Sequence, residues 1–146
     1  MRNRDAFAPE DSGGGEPEPA AGPRSLRTLL VQERPEDCER LVAGLAQLGY
    51  RVTHDRVQTP VAMTAALENS VWDVVIADWA LASFGAMQAL VIMKKRGLEL
   101  PFFVLSESEE GGLKEAALMA GANGFIRKAE VDDLVRAIRG VLGSGN

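Results

Sequence analysis

Five polar side chains follow four short apolar runs, and together they could handle an oxyanion. Gln32 and Glu33 come after Arg27-Thr28-Leu29-Leu30-Val31, and Asp78 comes after Asp73-Val74-Val75-Ile76-Ala77. Ser106 ends Phe102-Phe103-Val104-Leu105, and Lys128 ends Gly124-Phe125-Ile126-Arg127. Glu33 and Asp78 offer hard oxygen ligands of the kind magnesium takes. Lys128 can balance negative charge, and the Ser106 hydroxyl can donate a hydrogen bond. These groups act together only if the four runs are neighbouring strands whose carboxyl ends share one edge.

The intervening segments supply that arrangement. Asp37 to Leu48 carries Cys38, Leu41, Val42, Leu45 and Leu48 at helical spacing, with Gly49 to end it. Tyr50-Arg51-Val52-Thr53 reads as the second strand. Thr59 caps a helix that has Pro60 at its first position and is carried by Val61, Thr64, Ala65 and Leu67. Residues 73–77 are apolar on both faces, as in a central parallel strand. Gly85 to Arg96 places Met87, Leu90, Val91 and Lys94 along one side. Gly112 to Ala120 is stopped by Gly121, and Val131 to Leu142 points Leu134, Val135, Ile138 and Leu142 inward. Strands alternating with helices predict an α/β fold. Right-handed crossovers favour a flavodoxin-like, doubly wound, five-stranded parallel sheet of order 2-1-3-4-5 with five helices. Ligands of such sheets bind beyond the carboxyl ends of the strands.

Composition removes several alternatives. The 146 residues suit one domain. No apolar run approaches the ~20 residues of a membrane span, and there is no apolar leader of the secretory kind. The one cysteine, Cys38, allows no internal disulfide and fits a reducing, cytoplasmic setting, where it packs under the first helix. Cys38 and the single histidine, His54, cannot make a zinc site without several carboxylates. A net charge of −5 does not favour nucleic acid. Neither glycine-rich phosphate loop is present, nor the G-x-S-x-G elbow, so a nucleotide-binding enzyme and a hydrolase are both disfavoured. Residues 1–25 hold Pro9, Pro17, Pro19, Pro23 and Gly13-Gly14-Gly15, with Met1 and Phe7 as their only large apolar side chains. They read as a disordered tail before a domain over 26–143, with 144–146 as a short C-terminal tail.

Three segments in register resemble the CheY-like receiver domain of bacterial two-component response regulators, over about Arg27 to Leu142. They are Trp72-Asp73-Val74-Val75-Ile76-Ala77-Asp78-Trp79, Pro101-Phe102-Phe103-Val104-Leu105-Ser106 and Gly121-Ala122-Asn123-Gly124-Phe125-Ile126-Arg127-Lys128. The resemblance implies a signalling module rather than an enzyme. Asp78 would be the phosphoacceptor, taking a phosphoryl group from a phosphohistidine of a sensor histidine kinase or histidine phosphotransfer protein. Magnesium would sit between Glu33, Asp78 and the backbone carbonyl of Ala80. Lys128 would pair with the phosphoryl group. Ser106 would swing toward it, coupled to Phe125 on the fifth strand, and so bias the face of the fourth helix, fifth strand and fifth helix. That face would meet a downstream protein target or a second copy of the chain.

The sequence departs from the family at four places. Gln32 stands where an acid is usual, and Glu33 is one methylene longer than the usual Asp, so magnesium binding is expected to be weakened. Glu107 takes the place of a small residue and would block the site or draw Lys128 to itself. Ala129 replaces the usual cis-forming proline, which predicts a trans peptide. Two readings follow: a single-domain receiver phosphorylated on Asp78, or a pseudo-receiver that acts as a phosphorylation-independent interaction adaptor.

Overall fold

The computed structural model describes residues 24–79, 84–108 and 110–142. The expectations for the tail over 1–23, for the Ala80 carbonyl and for residues 143–146 lie outside the described residues. In chain order the elements are β1 (Arg24–Val31), α1 (Pro35–Gln47), β2 (Tyr50–Val57), α2 (Pro60–Asn69), β3 (Val74–Asp78), α3 (Ala86–Lys95), β4 (Phe102–Ser106), α4 (Leu113–Ala120), β5 (Gly124–Arg127) and α5 (Val131–Leu142). Short 3₁₀ turns at Glu110–Gly112 and Lys128–Glu130 precede α4 and α5. All neighbouring strands pair in parallel, in the order β2-β1-β3-β4-β5. This is the sheet that the alternating pattern predicts.

Apolar residues of β3 feed both sides of the sheet. Val75 and Ala77 join the cluster under α2, α3 and α4, with Met63, Leu90 and Ala117. Val74 and Ile76 join the cluster under α1 and α5, with Leu41, Leu45, Leu134 and Ile138. Every residue of β3 and β4 is buried, so both strands are central, as their composition requires.

Local signals account for the helix ends. Pro35 opens α1, and Glu36 and Asp37 follow in its first turn, where the helix dipole favours acids. The Thr59 hydroxyl accepts from the Ala62 backbone N–H at 3.1 Å, and Pro60 starts α2. Gly121 closes α4 at φ +116°, a left-handed value that side chains avoid. Gly124 sits against Phe103, where an added Cβ would lie 2.8 Å from the ring.

Several details differ from the sequence expectation. β1 begins at Arg24, whose N–H donates to the Gly49 carbonyl at 3.0 Å, so the first strand takes in Arg24 and Ser25. β2 runs on to Val57 through polar Thr53-His54-Asp55-Arg56, because its backbone stays paired with β1 while its side chains face water. In α2 the buried positions are Met63 and Leu67, while Val61 and Ala65 are exposed. In α3 the inward face is Ala86, Ala89, Leu90 and Met93, and Val91 is exposed. Small alanines let that helix lie close to the sheet, so mass of side chain misreads its inward face. No cis peptide occurs among the described residues, and the Lys128–Ala129 bond is trans.

Candidate functional site

Parallel pairing brings the carboxyl ends of β1, β3, β4 and β5 to one edge. Asp78 ends β3 there and is 3% exposed. Its Oδ2 lies 3.1 Å from the Lys128 ammonium, which follows β5. Its Oδ1 accepts from the Gln32 amide Nε2 at 3.4 Å, a long bond between fully enclosed groups. Gln32 in turn accepts the Cys38 thiol proton on Oε1 at 2.9 Å. Burial pushes the Cys38 thiol up to about 11, against the pull of Arg56 and with help from the nearby acids Asp78 and Asp37, so the sulfur stays protonated and donates.

Two groups at the site escaped the sequence reading. Asp37, in the first turn of α1, places Oδ2 at 3.2 Å from the Lys128 ammonium. The only signal available was position: any residue just after β1 comes out at the same edge as Asp78. Arg56, near the end of β2, donates to the Glu33 carbonyl at 3.0 Å and to the Gln32 carbonyl at 3.4 Å.

The charges shape one another. Burial raises the Asp78 carboxyl above its ordinary value, and the attraction of Lys128 and the hydrogen bond from Gln32 offset this only in part. Lys128 is raised too. Its burial would lower it, but one ammonium faces both Asp78 and Asp37, and their pull prevails. The two shifts fit together because the lysine has two carboxylate partners, whereas the more deeply buried Asp78 has one cation.

A cleft of about 330 Å³ opens over Asp78 and is lined by Glu33, Trp79, Ser106, Glu107 and Lys128 among others. The four strand-end residues Glu33, Asp78, Ser106 and Lys128 therefore do converge on one cavity. Glu33 is exposed and lines it with Asp78. Glu107 is 85% exposed in its side chain and reaches only to 3.9 Å of Lys128, so Asp37 and Asp78 are the lysine's near partners. The Ser106 hydroxyl donates to the Ser108 carbonyl at 2.7 Å and accepts from the Ser108 N–H at 3.2 Å, which turns it into its own loop. Phe125 is buried in β5 and meets Trp79 edge-on, with ring centres 6.2 Å apart.

The donor set does not fit a magnesium ion. Magnesium needs several oxygen lone pairs in near-octahedral array. Here both Asp78 oxygens face N–H donors, and Gln32 turns its nitrogen rather than its oxygen to the carboxylate. Among the described residues no group of three or more acidic, histidine or cysteine side chains is placed to hold a metal.

Comparison with known proteins agrees with the fold. The family model for the response regulator receiver domain matches residues 28–139. No curated protein matches the chain. Among solved structures, the receiver domain of the Francisella response regulator 1452 superposes with a TM-score of 0.71 at 15% identity, covering 83% of this chain and 99% of that one. A LuxR-family two-component response regulator from Aurantimonas sp. SI85-9A1 gives 0.70 at 22% identity, covering 81% and 85%. The receiver domain of the sensor histidine kinase PA1611 from Pseudomonas aeruginosa PAO1 gives 0.65 at 26% identity, covering 84% and 99%, and that structure has magnesium coordinated in its active-site cleft. No helix among the described residues is long and apolar enough to cross a membrane.

Proposed function

The chain belongs to the response regulator receiver domain family, and on that premise we propose that it accepts a phosphoryl group on Asp78 and signals through protein contacts. The observation that carries this reading is the Asp78 carboxylate at the floor of an open cleft, paired with Lys128 at 3.1 Å. A buried carboxylate beside one ammonium is a workable nucleophile. One oxygen of Asp78 attacks phosphorus, the P–N bond of a donor phosphohistidine breaks, and its electron pair returns to the imidazole. An acyl phosphate on Asp78 results. Most of the catalysis in such a transfer is positioning and charge neutralisation.

Lys128 is the group within reach of a phosphoryl oxygen on Asp78. Ser106 must exchange its bond to the Ser108 carbonyl for one to the phosphoryl group. Phe125, packed on Trp79, then has reason to shift, and the surface of α4, β5 and α5 changes with it. Leu118 and Met119 stand exposed on α4 as apolar contacts for a downstream protein or a second copy of the chain. The donor is a sensor histidine kinase or histidine phosphotransfer protein. In the family's pattern Glu33, Asp78 and the Ala80 carbonyl would hold magnesium.

A second reading, the phosphorylation-independent adaptor, is favoured by one observation: both Asp78 oxygens and the Ser106 hydroxyl already have internal partners. One experiment separates the two. The protein is incubated with a small acyl-phosphate donor and millimolar magnesium, and intact mass is recorded. A phosphoryl adduct that is absent from Asp78→Asn supports the phosphoacceptor. No adduct, under conditions that modify another receiver domain, supports the adaptor.

A further inference from the structure

The edge of the sheet holds its own counter-charge. Asp78 and Asp37 bring two negative charges to Lys128. Arg56 brings a second positive charge to the loop that carries Gln32 and Glu33. Glu33, Glu107 and Arg34 line the cleft around this pair, while Asp78 itself has an ammonium at one oxygen and an amide N–H at the other. A divalent cation is drawn to sites where carboxylates outnumber cations and keep lone pairs free. Asp78 falls short on the second condition, since each of its oxygens already faces a proton donor, the Gln32 amide or the Lys128 ammonium.

The Gln32 amide is also held in one orientation. If it turned over, its oxygen would face the Asp78 carboxylate and its nitrogen would face the Cys38 thiol proton. The contact with Asp78 would become repulsive, and the thiol would exchange a good acceptor for its proton for the weak accepting role of its sulfur. Gln32 is fully enclosed, so water cannot relieve that repulsion. Cys38 is held under α1 and Asp37 in the first turn of the same helix. One helix therefore orients both donors: the amide through Cys38 and the ammonium through Asp37.

We propose that the chain Cys38–Gln32–Asp78–Lys128–Asp37 closes this site without a metal, the Gln32 amide and the Asp37-anchored Lys128 standing where a divalent cation would otherwise balance Asp78. Cys38 and Asp37 are positioning residues in this arrangement. The proposal concerns the unphosphorylated cleft, so it stands or falls separately from phosphoryl transfer.

The test is a magnesium titration of the full chain, followed by calorimetry and by the fluorescence of Trp79, which lines the cleft. Saturable binding is expected to be absent up to roughly 10 mM, with no rise in thermal midpoint over that range. Gln32→Asp replaces a donor by an oxygen ligand and is expected to strengthen magnesium binding by about 10- to 100-fold, the usual scale for changing a group that supports a metal ligand. Cys38→Ala frees the amide to turn and should strengthen binding by less than Gln32→Asp does. Saturation of the unsubstituted protein at or below about 10 mM overturns the proposal, and so does a folded Gln32→Asp that binds no more tightly. If Gln32→Asp fails to fold, the unsubstituted titration decides alone. A phosphoryl adduct on a chain that takes no magnesium supports both conclusions, and magnesium saturation without an adduct refutes both.

Discussion

Replacing Lys128 by Met should destabilise the protein in a way that depends on pH. The ammonium sits 3.1 Å from Asp78 and 3.2 Å from Asp37. At an effective dielectric near 20 each contact is worth about 5 kcal/mol before solvation is counted. Most of that is offset by the cost of taking the charges out of water. The measured penalty for removing one partner of a buried pair is about 3–5 kcal/mol, because the other charge is stranded. Asp37 keeps Arg40 at 3.1 Å, but Asp78 keeps only the 3.4 Å bond from Gln32. The loss should therefore fall mainly on Asp78, at the low end of that range, about 3 kcal/mol, or roughly 10 °C in thermal midpoint. Lys128 is raised above its ordinary 10.5, so its contribution is complete at neutral pH and disappears only as pH rises through that raised value. In Lys128→Met the Asp78 carboxyl, already raised, is raised further. The penalty should be full at pH about 7.5 and shrink as pH falls and Asp78 takes up a proton. Urea unfolding at several pH values measures it, alongside Lys128→Met combined with Asp78→Asn. A loss that does not vary with pH, or a double variant no more stable than the single one, refutes the reasoning.

Asp78→Asn alone tests the same burial from the other side. Its folded carboxyl is raised above the ordinary 3.8, so the wild type loses stability as pH climbs from there through the raised value, and the variant's thermal midpoint should gain on the wild type across that window. Gly124→Ala should cost about 1–3 kcal/mol in denaturant unfolding, since the new Cβ would lie 2.8 Å from the enclosed Phe103 ring. Thr59→Ala should cost about 1 kcal/mol by the same measurement, through loss of the bond that caps α2.

The elements that were legible are those whose reason is local. β3 announced itself by being apolar throughout, and α2 by Thr59-Pro60. β2 reads as ending at Thr53 because His54-Asp55-Arg56 look like loop, while the backbone ladder to β1 that holds them is invisible in side-chain type. In α3 side-chain size points to Val91, which faces water, while Ala86 and Ala89 are buried, and in α2 Val61 and Ala65 face water while Met63 is buried. At the site, Gln32, Glu33, Asp78, Ser106 and Lys128 could be gathered once strand order was known, since each follows a strand. Asp37 could not be tied to Lys128 from sequence, because 91 residues separate them and only the packing of α1 brings them together.

The strand order also decides where this molecule can grow. Among the described residues the sheet ends at β2 on one side and at β5 on the other. An unpaired strand is a template on which another chain can add itself and begin an aggregate. β5 has only four residues to offer. β2 has eight, but Arg51, His54, Asp55 and Arg56 all stand exposed along it. A foreign strand docking there would have to bring those charges out of water or find matching ones. The polar stretch that reads as a loop thus serves as the guard of β2 against such pairing.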